Sequence, residues 1–372
     1  MPLFRAIGLM SGTSMDGVDV ALIETDGEAQ VVQGPSGFRP YSEPERRLLR
    51  AALSDARALT SAAARPGILP QAEAFLARAH AEAVEMFCKD TGVDLAGVDL
   101  IGFHGQTVLH RPEARLTVQI GDGGELAALL GRPVAHDFRT ADVLAGGQGA
   151  PLVPVYHRAL VAQARHEGRD LPRNVALLNI GGVANATLLN GDDDPLACDT
   201  GPGNALLDDF ILQRTGAAYD KDGALAATGR VDEVVLAGLL AHPFFDMAPP
   251  KSLDRGDFSN AAVARLSDAD GAATLSAFTA QSVARLLPHL DCAPGLWIVC
   301  GGGARNPVLL DMLAQALGTR VVAAEAFGWS SDAMEAQAFA YLGVRTQRGL
   351  PLTFPGTTGV CVPLNGGHLS LP

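Results

Sequence analysis

No CxxC pair, no long N-terminal apolar run and no excess of basic charge occur in this 372-residue sequence. Each absence excludes a class. The five cysteines, Cys88, Cys198, Cys292, Cys300 and Cys361, are scattered, which argues against a disulfide framework or a structural zinc site and suits a reducing compartment. The stretch behind Met1-Pro2-Leu3-Phe4-Arg5 is not a signal peptide or a spanning helix, so a cytoplasmic protein with no membrane partner is expected. Lys and Arg number 28 against 41 Asp and Glu, a formal net charge of −13. That balance argues against nucleic acid or an anionic membrane surface as partner. It still permits a phosphorylated ligand, because backbone N–H groups bind anions on an acidic protein. Also missing is G-x-x-x-x-G-K-[ST], so the chain is not a P-loop enzyme. Gly301-Gly302-Gly303 fails the dinucleotide fingerprint, which demotes a Rossmann reading.

What is present reads as α/β. Hydrophobic residues make up 48% and charged residues 19% of the chain, a globular composition. The length exceeds one typical core, so two lobes are expected. Ala145-Gly146-Gly147-Gln148-Gly149-Ala150-Pro151 reads as the hinge, separating residues 1–148 plus 352–372 from residues 149–351, with a second crossing near 350. Helical spacing of Leu76, Ala79, His80, Ala83, Val84 and Phe87 predicts a helix over 71–89. Further helices are predicted over 122–130, 204–214, 273–287, 306–317 and 332–347, and short strands over 117–120 and 133–135 and at Leu100–Phe103.

Three glycine turns follow apolar strands. Gly8-Leu9-Met10-Ser11-Gly12-Thr13-Ser14-Met15-Asp16-Gly17-Val18-Asp19 joins Phe4–Met10 to a strand over 18–25. Asn179-Ile180-Gly181-Gly182 repeats that arrangement between strands over 175–178 and 185–189, and Gly301-Gly302-Gly303 follows Leu296–Cys300. Such turns bring free N–H groups to an anion without side-chain interference, and Asp16 and Asp19 stand close enough to orient a phosphate-bound divalent cation. The first turn reads equally as an ordinary hairpin, for which Asp-Gly is a standard signal. Two strand–turn–strand units suit a triphosphate, and the third turn offers space to adenosine.

Asp199, in Cys198-Asp199-Thr200-Gly201-Pro202-Gly203-Asn204, is the acid–base candidate, a carboxylate held before a tight turn and tuned by partial burial. A turn-type cap on the following helix fits it equally. His104-Gly105-Gln106-Thr107 presents polar groups after a strand, either to sugar hydroxyls or as a surface turn. Arg139, in Asp137-Phe138-Arg139, suits a ligand carboxylate or a surface pair with Asp137. Glu335 reads as a carboxylate in a helix's first turn or as a ligand contact.

Together these motifs resemble the anhydro-N-acetylmuramic acid kinase family, within the superfamily of acetate and sugar kinases, heat-shock ATPases and actin. The resemblance rests on Gly8–Asp19, Phe103–Thr107, Gln119–Asp122, His136–Arg139, Gly146–Pro154, Asn179–Asn185, Asp199–Asn204 and Gly301–Asn306. It implies two actin-like (ribonuclease H-like) lobes with an ATP and substrate cleft between them. Gly12, Thr13, Ser14, Met15, Asp16, Gly17, Val18 and Asp19 would bind ATP, with Gly181, Gly182, Asn185, Gly301, Gly302 and Gly303. Mg²⁺ is implied, its ligands unassigned. Asp199 takes the place of the catalytic base, and His104, Gln106, Arg139, Gly201 and Glu335 that of contacts to the substrate, 1,6-anhydro-N-acetylmuramic acid. The implied reaction uses ATP and water to give N-acetylmuramic acid 6-phosphate, in the recycling of cell-wall sugar; a homodimer is compatible with it. Lys251-Ser252-Leu253-Asp254-Arg255-Gly256-Asp257 departs from a Lys-Ser-Thr-Gly-Arg-Glu-like stretch, and Gly366-Gly367-His368 departs from the expected tail. The competing readings are another sugar or acid kinase of the superfamily, a ligand-binding regulator without chemistry, and a glycosidase using Asp199, which leaves the glycine turns unexplained.

Overall fold

The computed structural model describes residues 2–12, 14–253 and 255–372. The chain begins with three antiparallel strands, β1 (Phe4–Met10), β2 (Gly17–Thr25) and β3 (Val31–Pro40), followed by helices α1 (Glu43–Ala56) and α2 (Leu69–Thr91). Next come β4 (Leu100–Phe103), the hairpin β5 (Gln106–Arg111) and β6 (Leu116–Ile120), α3 (Gly123–Leu130) and β7 (Val134–His136). Helices α4 (Thr140–Leu144) and α5 (Pro154–His166) close this part. Local chemistry sets the boundaries. Asp122 starts α3 by accepting the N–H groups of Gly124 and Glu125, and Gly131, at φ 62°, ends it.

Strands β8 (Asn174–Ile180), β9 (Val183–Asn190) and β10 (Leu196–Pro202) follow, then helices α6 (Ala205–Thr215), α7 (Glu233–Leu240) and α8 (Asp268–Ala284). After them stand β11 (Leu296–Cys300), α9 (Pro307–Leu317) and β12 (Arg320–Ala323). The chain ends with α10 (Met334–Arg348) and β13 (His368–Ser370).

Both sheets follow one plan. The first is ordered β13-β7-β4-β1-β2-β3 and the second β10-β9-β8-β11-β12. In each, three consecutive strands pair antiparallel and the first of them pairs parallel with a later strand, which pairs parallel with another. This doubled arrangement is the ribonuclease H-like plan expected of an actin-like α/β chain.

Two compact units result, Met1–Gly168 with Ala333–Pro372, and Arg169–Asp332. These units divide at 168/169 and 332/333, where the sequence reading places the divisions at 148/149 and 351/352. The Gly146–Gly149 stretch is folded into the first unit, because Gln148 N–H donates to Thr358 O at 2.7 Å and Gly149 N–H to the buried Asp142 carboxylate at 2.6 Å. Helix α5 packs on α10 and β3, and α10 lies on β1, β2, β4 and β7. Paired glycines make that possible: Gly8 and Gly102 face each other in β1 and β4, where a Cβ would strike the α10 carbonyls of Ala336 and Phe339. Their neighbours Ile7 and Leu9 point the opposite way, into a core with Leu76, Val84 and Phe87 of α2. The tail returns to this unit as β13, antiparallel to β7. Among the described residues no helix is long and apolar enough to cross a membrane.

Three histidines of the first unit are buried (His80, His104 and His157). Burial pushes His80 down to about 4 and His157 to about 3, and burial with the nearby Arg139 charge pushes His104 to about 3. The unfolded chain, with histidines near the usual value of about 6.5, binds protons that the folded unit refuses. Stability is therefore complete above that value and falls as pH drops below it, each histidine costing up to about 1.4 kcal/mol per pH unit until its folded pKa is reached. Urea-unfolding midpoints at about pH 7.5 and about pH 5 test this; equal stability at both would contradict it.

Candidate active site

In the first unit β1 and β2 end their pairing at Met10 and Asp19. The connection is thus far longer than a two-residue Asp-Gly turn, which removes the simplest hairpin reading. Buried groups hold it from behind. Ser11 Oγ donates to Gln106 Oε1 at 2.8 Å and lies 3.0 Å from the Tyr41 hydroxyl, while Gln106 Nε2 donates to Gly12 O at 3.2 Å. The Tyr41 N–H donates to Asp16 O at 2.8 Å, and Met15, at φ 52°, donates its N–H to Gly12 O at 3.2 Å. Outside, the exposed Ser14 donates to Asp16 Oδ1 at 2.7 Å. A Cβ on Gly12 would find its nearest atom 3.7 Å away, so space stands open there. Gly17 and Val18 are buried instead, with Gly17 packed against Phe38 and Arg39 O of β3. Asp19 is half-buried within β2. Thr13 lies outside the described residues.

Gln106, read from sequence as a sugar contact, is 1% exposed and spends its amide on the loop. His104 is likewise held by the protein. Arg139 Nε and Nη2 donate to His104 Nε2 at 3.2 and 3.0 Å, so that nitrogen accepts, and Nδ1–H donates to Gly105 O at 2.8 Å. The ring is 5% exposed, which rejects the surface-turn reading. Arg139 Nη1 donates to Gly149 O at 2.7 Å, and burial lowers the Arg139 pKa to about 10, leaving it cationic at neutral pH. Asp137 faces His368 Nε2 at 3.7 Å; Arg139 turns to His104. Glu335, in the first turn of α10, and Arg139 each favour the other's charged form.

The second unit collects the rest of the candidates. Across β11, β8, β9 and β10 the residues Cys300, Asn179, Asn185 and Asp199 stand in one register row. Just beyond that row lie the glycine turns. Asn204 N–H donates to Gly181 O at 2.7 Å, Gly203 N–H to Gly182 O at 3.0 Å, and Asn204 Nδ2 to Ile180 O at 3.1 Å. The N-terminus of α6 thus starts against the Gly181–Gly182 turn, where helix N–H groups favour an anion. The glycines divide by cause. Gly301, at φ 75°, and Gly303, where a Cβ would stand 2.6 Å from Ile180, are required by the protein's own packing. Gly181 and Gly182 meet nothing nearer than 3.6 Å, and at Gly302 only Asn204 Nδ2, 3.3 Å away. A cavity of about 430 Å³ opens beside Asn204 and Gly302, lined also by Asp208, Tyr219, Lys221 and Arg305.

Asp199 sits at a bulge in β10, between its pairing with Asn185 and that of Gly201 with Ala184. It caps no helix, since Asp199 Oδ2 accepts the Leu253 N–H at 2.7 Å, which rejects the capping alternative. Burial pushes its carboxyl up to about 6, against the opposing Leu253 hydrogen bond. Gly201, expected at the substrate, is buried, and a Cβ there would strike Ser282 Cβ at 2.5 Å; it shapes the bulge.

A sequence model described as anhydro-N-acetylmuramic acid kinase matches residues 4–369. The chain belongs to the anhydro-N-acetylmuramic acid kinase family. Proteins of that name from Nitrobacter winogradskyi and Bradyrhizobium diazoefficiens are 57% and 56% identical to it over 371 residues, covering 100% of each chain. One from Azorhizobium caulinodans is 56% identical over 373 residues, with 99% of each chain covered.

Sequence reasoning missed Asn179 as part of the polar row, the cavity residues Tyr219 and Lys221, and the approach of residues 251–253 to Asp199 in this kinase. A usable signal existed for the row, in polar residues interrupting buried apolar strands.

The two kinds of glycine separate by mutation. Gly181→Ala is expected to fold with unchanged stability, because its methyl group meets no protein atom nearer than 3.8 Å, and to raise KM for ATP severalfold. Gly303→Ala is expected to lose about 1–3 kcal/mol of stability through overpacking. Thermal unfolding and ATP titration of both variants check the contrast, which fails if Gly181→Ala binds ATP normally.

Proposed function

We propose that this anhydro-N-acetylmuramic acid kinase opens the 1,6-anhydro bridge with water while phosphorylating O6, and that Asp199 is the general base. The observation that carries the reading is a half-buried carboxylate, raised to about 6 and oriented by the Leu253 N–H, beside an open glycine turn. Asp199 takes a proton from water as the water oxygen bonds to C1. The C1–O6 bond breaks with its electron pair on O6, which attacks the γ-phosphorus of ATP as the bond to the β-phosphate oxygen breaks. The products are N-acetylmuramic acid 6-phosphate and ADP. The first half parallels inverting glycoside hydrolysis, with the phosphoryl group in place of an acid at the leaving oxygen.

In the second unit the proposed ATP contacts are the N–H groups and space at Gly181–Gly182 with the α6 N-terminus, and Gly302, with the cavity near Asn204 taking the adenosine; in the first unit the open space at Gly12 and the exposed Ser14 and Asp16 suit phosphate. A Mg²⁺ carried on ATP needs only one or two protein carboxylates, a requirement that the exposed Asp16, oriented by Ser14, fits; the ion would neutralise charge on the transferring group. Arg139 is proposed to bind the lactyl carboxylate through the N–H groups that His104 and Gly149 leave over, with Glu335 nearby for sugar hydroxyls.

Incubation with ATP, the anhydrosugar and ¹⁸O-water tests the reading. Label at C1 and phosphate at O6 are expected in one product. Unphosphorylated sugar formed without ATP would instead mark a glycosidase, and no turnover a binding protein. Asp199→Asn is expected to fold, bind ATP and lose about 10²–10⁴-fold in kcat; near-normal turnover would remove Asp199 as the base. Arg139→Ala is expected to raise KM for the anhydrosugar about 10- to 100-fold, as for a lost charged hydrogen bond. An unchanged KM would sink that assignment.

A further inference from the structure

β10 is the edge strand of its sheet, so the outer side of Asp199 has no neighbouring strand. Residues 251–253 lie along that side. Asp199 N–H donates to Lys251 O at 2.9 Å, and Leu253 N–H donates to Asp199 Oδ2 at 2.7 Å. The segment is anchored at both ends. Lys251 is 6% exposed, its Nζ donating to Phe244 O at 3.0 Å and standing 4.4 Å from the Phe244 ring centroid. Leu253 packs on the cluster that contains Phe244, Phe245 and Phe278. A lysine buried against a carbonyl and a ring serves as a pin, since its stem packs and its ammonium is satisfied locally.

We propose that residues 251–253 form a strap that positions Asp199 for catalysis, with the Leu253 N–H aiming the carboxylate and Lys251 pinning the strap to the 243–246 turn. The inference rests on Asp199 being the base. It accounts for the tolerance of Leu253 where the family resemblance leads one to expect Thr, because the bond to Asp199 comes from the backbone. The described ionisable groups around this point are Cys198 on β10, Lys251 on the strap and Asp246 in the turn that holds Lys251; Asn185, opposite on β9, is uncharged. An N–H bonded to a carboxylate favours its ionised form, so loss of the strap moves the acid limb of kcat/KM, which reports the free enzyme, upward.

The test compares Leu253→Pro, which removes the N–H, with Leu253→Ala, which keeps it, and adds Lys251→Met, which unpins the strap. The pH profile of kcat/KM for the anhydrosugar is measured for each, with KM for ATP and circular dichroism alongside. Leu253→Pro and Lys251→Met are expected to raise the acid limb by about one pH unit and lower kcat/KM about tenfold below neutrality, with KM for ATP within about twofold. Leu253→Ala is expected to move the limb less than Leu253→Pro. If the proline variant does not fold, Lys251→Met decides alone. A wild-type limb in Lys251→Met and in any folded Leu253→Pro overturns the strap while Asp199→Asn stays inactive. An active Asp199→Asn overturns the base itself, so the two failures are distinguishable.

Discussion

An acidic chain with a net charge of −13 can still meet a polyphosphate through backbone N–H groups, and the placement of open glycine turns in the candidate site suits that means of binding. Gly12, Gly181 and Gly182 leave room on the side where a Cβ would stand, whereas Gly301 and Gly303 are fixed by contact with Asn179 and Ile180. The distinction matters because glycine alone signals nothing about ligands. Only a glycine with neither a positive φ nor a crowded Cβ position lacks an internal reason. The turns that qualify lie at the ends of β1 and β8, the corresponding first strands of the two repeated sheets.

Positive charge is placed by other means. In the first unit a guanidinium is held by a neutral imidazole, which accepts two of its N–H groups without cancelling its charge. Burial and the Arg139 charge both disfavour imidazolium, so the arrangement is self-consistent across the neutral pH range. A carboxylate in place of His104 would have tied up the cation. Asp142, 2% exposed and bonded to Gly149 N–H and Thr358 Oγ1, shapes the loop whose carbonyl holds the other side of Arg139.

Much of this was legible along the chain, and the failures share one cause. β1, β4 and β11 stand where apolar runs predicted them, because their hydrophobicity is local and continuous. For His104 and Gln106 the sequence hides the protein partners, Arg139, 35 residues away, and Ser11, 95 residues away. Polarity after a strand says that a side chain needs a partner, not which one. The division into units was hidden for a similar reason. Local glycine content suggested a hinge, whereas the long-range packing of α5 and α10 assigns both flanks of that stretch to one unit. Asp199 was found as a residue but not as part of a bulged edge strand, since Leu253, which fixes its orientation, lies 54 positions later.

For a general base, the value near 6 is a compromise between two opposed demands. An ordinary aspartate, near 3.9, is ionised at neutral pH but is a weak acceptor for a water proton. Full burial with no hydrogen bond would make it more basic and leave it protonated, and so inert, at neutral pH. Partial burial opposed by one backbone N–H lands between these limits: the carboxyl stays mostly ionised at neutral pH and is more basic than an ordinary aspartate. Supplying that N–H from the main chain fixes the balance to the fold and frees it from the side chain at position 253. The edge of the sheet is therefore a suitable place for the proposed base, because only there can a non-strand segment approach a strand residue and bond its carboxylate as well as its backbone.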